Sequence, residues 1–169
     1  MFAVSTFGCE ELSLKYAAEN DDYSKIMCQA LADRIVEAFA EVVHLRIRKD
    51  LWGYSVEEEL ETNDLLKIKY QGIRPAPGYP SQPDHTEKEV MWDMIKCKEL
   101  CGIELTSSLS MSPASSVSAL VFAHEQSEYF AVGQIEKDQV EDYAKRKGMK
   151  IEEVERWLGG LLSYDCASD

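Results

Sequence analysis

Gly72-Ile73-Arg74-Pro75-Ala76-Pro77-Gly78-Tyr79-Pro80-Ser81-Gln82-Pro83-Asp84-His85 holds four of the five prolines in a chain of 169 residues. Proline fixes φ, lacks an N–H and pushes the preceding residue toward extended backbone, so Arg74, Ala76, Tyr79 and Gln82 are all restrained. The stretch is therefore stiff while being neither helix nor strand, and its neighbours must be ordered around it. Positions 75, 77, 80 and 83 offer no backbone donor, which leaves carbonyls such as that of Ala76 open to an outside donor. Gly78 permits φ > 0 or a close approach beside Tyr79. An arginine, a phenol and an imidazole (Arg74, Tyr79 and His85) share this frame. On these residues alone two readings stand: a binding loop, or a proline-rich connector or polyproline ligand for an SH3-type partner.

Upstream of the loop, residues 21 to 49 form the longest helical pattern, with Asp21 or Asp22 as N-cap and no internal Pro or Gly. Tyr23, Ile26, Met27, Ala30, Leu31, Ile35, Ala38, Val42 and Leu45 follow the i, i+3, i+4 spacing of a core-facing stripe. Glu37 is the odd member, sharing an azimuth with Tyr23, Ala30 and His44, and is read either as a rim carboxylate or as one aimed into a site. Trp52-Gly53-Tyr54 breaks this helix, and Ser55-Val56-Glu57-Glu58 has capping-box form for a second helix to about Tyr70. Downstream, Thr86-Glu87-Lys88-Glu89 opens a helix to about Cys101, closed by Gly102. Phe2-Ala3-Val4, Ile103 to Met111, Ser116 to His124 and Tyr129 to Ile135 read as strands, the last two joined by a hairpin turn at 125 to 128. Residues 136 to 147 and 151 to 158 return to helical periodicity, and Asp165 to Asp169 is expected to be a loose tail. Helices around a small antiparallel sheet make this α+β, in one region spanning 1–169.

The formal net charge of -13 argues against nucleic acid or an anionic membrane surface as the main partner. No run of about 18 apolar residues exists to span a bilayer. Five cysteines without framework spacing fit reduced thiols, so the expected location is cytoplasmic. Cys97 and Cys101 lie one helical turn apart without a second Cys/His pair, so no metal site is expected there. No glycine-rich phosphate loop follows a strand, no G-x-S-x-G elbow is present, and His44, His85 and His124 fall on separate elements without a nucleophilic partner.

Arg74-Pro75-Ala76-Pro77-Gly78-Tyr79-Pro80, followed by Pro83, His85, Thr86, Glu87 and Lys88, resembles the S-adenosylmethionine-binding segment of the activation domain of cobalamin-dependent methionine synthase. The likeness extends upstream to Asp22-Tyr23-Ser24-Lys25-Ile26-Met27, Ala32-Asp33-Arg34, Glu37 to Glu41, and Trp52-Gly53-Tyr54. Downstream it includes Pro113 to Ser118, Tyr129-Phe130-Ala131-Val132-Gly133 and Asp138 to Ala144. The resemblance is to the C-terminal part of that domain, whose remaining part lies upstream and includes a further acidic ligand contact. Nothing here is similar to the homocysteine, folate or cobalamin-binding modules, so this chain alone is not expected to be a complete methyltransferase.

What the resemblance implies is reactivation of an oxidised cobalamin held by another module, with S-adenosylmethionine as methyl donor and a flavodoxin-like protein or methionine synthase reductase as electron donor. Arg74, Ala76, Gly78 and Tyr79 would line the ligand site, Tyr129 and Phe130 would face it from a strand, Glu37 would project from the long helix, and His85 is added at the loop's end. The chemistry of these groups agrees. A guanidinium suits the ligand's carboxylate, a donor-poor backbone suits its amines, aromatic faces suit adenine or sulfonium, and Glu37 can accept from a hydroxyl or ammonium. No general acid or base is expected. For the reductase, the expected docking patches are Lys145-Arg146-Lys147 with Lys150, or Arg46, Arg48 and Lys49. The alternative from another class is a non-catalytic interaction module with an incomplete ligand site.

Overall fold

The fold is organised on a two-stranded antiparallel sheet in which β1 (Phe2–Ser5) pairs with β4 (Ser116–Ala119), Phe2 opposite Ala119 and Val4 opposite Val117. The computed structural model describes residues 1–166; Ala167 to Asp169, the end of the expected loose tail, lie outside the described residues. Side chains alternate across a strand, so Phe2 and Val4 bury themselves with Val36, Ala40 and Ile47, while Ala3 packs against the cluster of Met91, Trp92, Cys97 and Ile103. The sheet is thus covered on both faces by helices, α2 (Asp22–Arg46) on one and α4 (Glu87–Ile95) with α5 (Cys97–Cys101) on the other.

Asp21 caps α2 as expected, its carboxylate accepting from Ser24 N at 2.9 Å. The buried face of this helix is not the expected one. Tyr23, Ile26, Leu31, Ile35 and Val42 are each more than half exposed, and the buried line is Ala32, Val36, Ala40 and His44. Within this line Val36 and Ala40 pack with Phe2, Val4 and Ala119, so the face that meets the strands is covered and the bulkier apolar stripe is not. α1 (Cys9–Ala18), to which periodicity assigns nothing, folds back along α2 through a turn in which Asp21 N donates to Tyr16 O at 2.9 Å.

α2 ends at Arg46 in a single wide turn, Ile47–Leu51, with the N–H groups of Trp52 and Gly53 both donating to Ile47 O at 3.0 and 3.1 Å. The extra residue in this turn carries Arg48 inward, wholly buried, with Nε and Nη2 each 2.8 Å from the Glu58 carboxylate and the guanidinium 4.0 Å above the Tyr70 ring. Arg48 is therefore lost from the expected basic docking patch. The same ion pair corrects the expected helix over 55 to 70. Glu58 is drawn to Arg48, Ser55 N donates to Arg48 O at 2.9 Å, and helix starts only at α3 (Thr62–Leu66), where Glu61 and Asp64 cap each other. Ile68, at φ 55°, ends it.

The expected helix from 86 to 101 is interrupted at Lys96, which takes φ 48° and splits it into α4 and α5. Asp84, not Thr86, supplies the side-chain cap oxygen, accepting from Thr86 N at 2.8 Å. The expected strand from 103 to 111 is a hairpin, β2 (Glu104–Leu105) against β3 (Met111–Ser112), turned by Thr106 N to Ser110 O at 2.9 Å and by Leu109 at φ 57°. The expected strand over Tyr129 to Ile135 is absent among the described residues. Beyond β4 the chain pairs with the proline loop: Ile73 and Phe122 exchange both backbone bonds at 3.0 Å, and Leu120 N donates to Pro75 O at 2.9 Å. With those donors engaged by 73 to 75, residues 129 to 132 drape over the loop, Val132 N reaching Pro80 O at 3.0 Å.

α6 (Lys137–Lys147) and α7 (Ile151–Leu158) form as expected, turned at Gly148 and packed through Val140, Ala144, Val154 and Leu158 onto Ile135. Among the described residues no helix is long and apolar enough to cross a membrane.

Candidate functional site

The proline loop is held at both ends and folded on itself between. Its start pairs with 120 to 122. Its middle is a tight hook in which Tyr79 N donates to Ala76 O at 3.2 Å, Gln82 N to Tyr79 O at 2.9 Å and Gly78 N to Gln82 O at 2.7 Å. The Ala76 carbonyl expected to be open is thus already engaged once, although a carbonyl's second lone pair leaves room for one more donor. Gly78 has φ 96°, and a Cβ built there would lie 2.2 Å from His85 Cε1. The glycine therefore lets the imidazole sit directly against the hook, where Lys88 Nζ lies 2.9 Å from its Nδ1. Burial and the Lys88 charge hold His85 below its ordinary pKa, so it faces the lysine as an acceptor.

The loop's far end is fixed by Asp84, only 5 % exposed, which accepts from Thr86 Oγ1 at 2.8 Å, from the Tyr143 hydroxyl at 2.6 Å and from Lys147 Nζ. Burial alone would raise the Asp84 pKa, but these donors outweigh it and keep the group a carboxylate. Tyr143, half-buried and donating to that carboxylate, is pushed up to about 12. Lys147 also meets Glu87 at 2.8 Å, so its ammonium is held at the loop's end and taken out of the expected Lys145-Arg146-Lys147 docking patch.

Arg74 is bound differently from its sequence expectation. Its Nη1 lies 3.1 Å from Glu41 Oε2, 3.1 Å from His44 Nδ1 and 2.7 Å from the Tyr70 hydroxyl, and its Nη2 meets Glu41 Oε1. The guanidinium that was to await a ligand carboxylate is already forked onto α2. Since arginine only donates, His44 Nδ1 must be the acceptor, which places the ring proton on Nε2, 3.4 Å from Tyr54 Oη. Burial, then the charges of Arg48 and Arg74, lower His44 to about 3, so it is neutral. The Arg74 backbone N–H donates to the Tyr129 hydroxyl at 2.9 Å, which seats the 129 to 130 segment over the loop without a strand.

These placements enclose one cleft of about 480 Å³, and every residue singled out from sequence lines it: Glu37 from α2, Arg74, Ala76, Gly78 and Tyr79 from the loop, His85 from the loop's end, and Tyr129 with Phe130 opposite. Tyr79 and Phe130 are 63 % and 60 % exposed, two aromatic rings presented to whatever enters. Sequence reading missed two residues of this wall and one that braces it. Glu41, one turn beyond Glu37, is the Arg74 partner, and its i, i+4 relation to Glu37 was the available signal. Lys88 lines the cleft below His85. Ser118, on β4, is 2 % exposed, and its Oγ has no hydrogen-bond partner among the described residues; the Ser-x-Ser alternation of 116 and 118 could have placed it on one face. Among the described residues no cluster of three or more His, Cys, Asp or Glu is arranged to hold a metal.

An α+β domain with a rigid, proline-braced wall, an acidic residue on a facing helix and an aromatic cover defines a small-molecule cleft of ordinary ligand size. The family model for the activation domain of vitamin B12 dependent methionine synthase matches residues 1–148, and the chain belongs to that family. Among solved structures, the MetH reactivation domain bound to AdoHcy matches with a TM-score of 0.94 and 51% identity over 96% of this chain. The match covers 50% of that chain, so the present chain spans half the length of this relative.

Proposed function

We propose that residues 1–169 act as one region of a reactivation module, binding S-adenosylmethionine in the proline-loop cleft so that its methyl group can be delivered to a cobalamin held by another module of methionine synthase. The observation that carries this reading is the convergence of Glu37, Arg74, Ala76, Gly78, Tyr79, His85, Tyr129 and Phe130 on a single cleft in a chain of this family. Crystallised as a reactivation domain bound to AdoHcy, the solved relative supports a sulfur-linked nucleoside ligand here as well.

The ligand supplies the reacting centre, an electrophilic methyl on a sulfonium, and the chain's residues bind and orient it. Tyr79 and Tyr129 give adenine and sulfonium their aromatic faces. Glu37, exposed on α2, accepts from ribose hydroxyls or the ammonium group, and the second lone pair of the Ala76 carbonyl takes a ligand amine. With Nη1 taken by Glu41, His44 and Tyr70 and Nη2 on Glu41, Arg74 has its Nε–H and the second Nη2–H to offer the ligand carboxylate, on a guanidinium already oriented, which lowers the ordering loss on binding. The buried Ser118 Oγ fits a polar ligand atom that reaches the cleft floor. No residue of the cleft is needed as acid or base, since methyl transfer moves no proton.

The electron donor in this reading is a flavodoxin-like protein or methionine synthase reductase in the cytoplasm. With Arg48 buried and Lys147 engaged by Asp84 and Glu87, the basic groups left for it are Arg46 and Lys49 at one end, and Lys145, Arg146 and Lys150 at the other.

Calorimetric titration of S-adenosylmethionine into the chain and into Glu37→Gln tests the reading. Loss of one charge-assisted hydrogen bond is expected to weaken binding by roughly 10-fold or more. Absence of binding to the unaltered chain would remove the proposal and leave a non-catalytic interaction module.

A further inference from the structure

We propose that Cys9 and Cys28 form a redox-active dithiol that closes to a disulfide between α1 and α2 when hydrogen peroxide or a small-molecule disulfide oxidises it. The two sulfurs lie 3.6 Å apart, already in contact across the helix pair, and Cys28 Sγ is also 3.9 Å from the Cys9 carbonyl oxygen. A disulfide requires about 2.05 Å between sulfurs, so closure brings the two sulfurs about 1.5 Å nearer than their 3.6 Å contact. The helices that carry them are joined by a tight turn and packed along their length, so the two thiols are held as neighbours rather than meeting by chance.

Access is provided by the groove in which they sit. Both cysteines are half-buried and line an open cleft of about 610 Å³ between α1 and α2, bordered by Leu12, Tyr16, Met27 and Leu31. The remaining cysteines are placed otherwise. Cys97 is fully buried and its thiol is pushed up to about 11 by burial, while Cys101 and Cys166 are exposed. Burial, with Cys28 and Asp33 nearby, also raises the Cys9 pKa, which keeps that thiol mostly protonated and its oxidation slower than that of an activated thiolate.

In the peroxide route one sulfur attacks the peroxide oxygen, the O–O bond breaks, and a sulfenic acid forms with release of one water. The second thiol then displaces the sulfenic oxygen as a second water, so two thiols and one peroxide give one S–S bond and two waters. In the exchange route a small disulfide such as oxidised glutathione is reduced to two thiols as the Cys9–Cys28 bond forms. The bond cross-links residues 19 positions apart and fastens α1 to the start of α2. Neither cysteine lines the proline-loop cleft, so this site stands or falls independently of ligand binding there.

The test is to oxidise the reduced full chain with hydrogen peroxide or oxidised glutathione, trap remaining thiols with an alkylating agent, and map the peptides by mass spectrometry. The expected result is a single dominant Cys9–Cys28 cross-link, reversed by dithiothreitol, with Cys97, Cys101 and Cys166 still alkylated. Cys9→Ser and Cys28→Ser each abolish it, and the oxidised chain melts several degrees above the reduced one. Oxidation that instead leaves Cys9 and Cys28 as sulfinic acids, as separate glutathione adducts, or bonded to other cysteines overturns the proposal, as does a fully alkylated chain.

Discussion

Arg74 and Glu41 form a forked ion pair, Nη1 to Oε2 at 3.1 Å with Nη2 on Oε1, and through it the proline loop is fastened to the long helix one turn from Glu37. Both side chains are largely withdrawn from water, 17% and 27% exposed. Glu41→Gln leaves a half-buried guanidinium with no counter-charge, and a loss of about 1–3 kcal/mol is expected in urea unfolding. Arg74→Lys is expected to destabilise as well, because an ammonium cannot reproduce the fork or keep Tyr70 and His44 satisfied together. Unfolding midpoints equal to that of the unaltered chain for both variants would show that the pair does not anchor the loop.

His44 makes that anchor sensitive to acid. Buried against Arg48, Arg74, Tyr54 and Tyr70, it is held near 3 against an ordinary value of 6.5. Between those values the unfolded chain binds a proton that the folded chain refuses, so this contribution to stability is complete above about pH 6.5 and is lost as the pH falls toward 3. The limiting slope for one such group is about 1.4 kcal/mol per pH unit. Urea midpoints measured across this window are expected to fall steeply with acid, and His44→Gln, less stable at neutral pH, is expected to give a flatter profile. Parallel profiles would assign the acid sensitivity to other groups.

Gly78 carries two demands at once, a φ of 96° and a Cβ position that falls 2.2 Å from the His85 ring. Gly78→Ala is expected to lose about 1–3 kcal/mol from the backbone strain and to displace either the hook or the imidazole. Adding His85→Ala removes the collision and leaves the φ strain, so the double variant is expected to recover part of the loss. S-adenosylmethionine titration of the same proteins checks the cleft: recovered stability without recovered binding would assign His85 a role in the ligand wall beyond packing.

What the sequence announced follows from which interactions are local. Proline spacing, the Asp21 cap, the Gly148 turn and the α6–α7 periodicity act within a few residues, and each element stands where expected. The cleft residues were legible because the loop motif carries a family resemblance, which also implied places for Glu37, Tyr129 and Phe130 that spacing alone left open. What sequence did not show depends on partners far along the chain. The Arg48–Glu58 pair dismantled the expected helix over 55 to 70, and the pairing of 73–75 with 120–122 displaced the expected strand over 129 to 135. On α2, periodicity found an apolar stripe but not the smaller-residue face that the strands choose. The Arg74–Glu41 fork was hidden for the same reason, its partners lying 33 positions apart.

Lys147 joins the α6–α7 hairpin to the loop's end, touching Asp84, Thr86 and Glu87 together. Its ammonium is strongly favoured there, since burial works against the charge but the Asp84 and Glu87 carboxylates outweigh it. Lys147→Met keeps the length of the side chain and removes the charge, leaving Asp84 a 5 % exposed carboxylate with only hydroxyl and amide donors. The expected loss is about 3–5 kcal/mol, the range for breaking a buried pair from one side. Asp84→Asn with Lys147→Met removes both charges and is expected to be less destabilised than Lys147→Met alone. A double variant as unstable as the sum of the two single ones would mean that the charges are not coupled and that hydroxyl bonds from Thr86 and Tyr143 fix the loop's end by themselves.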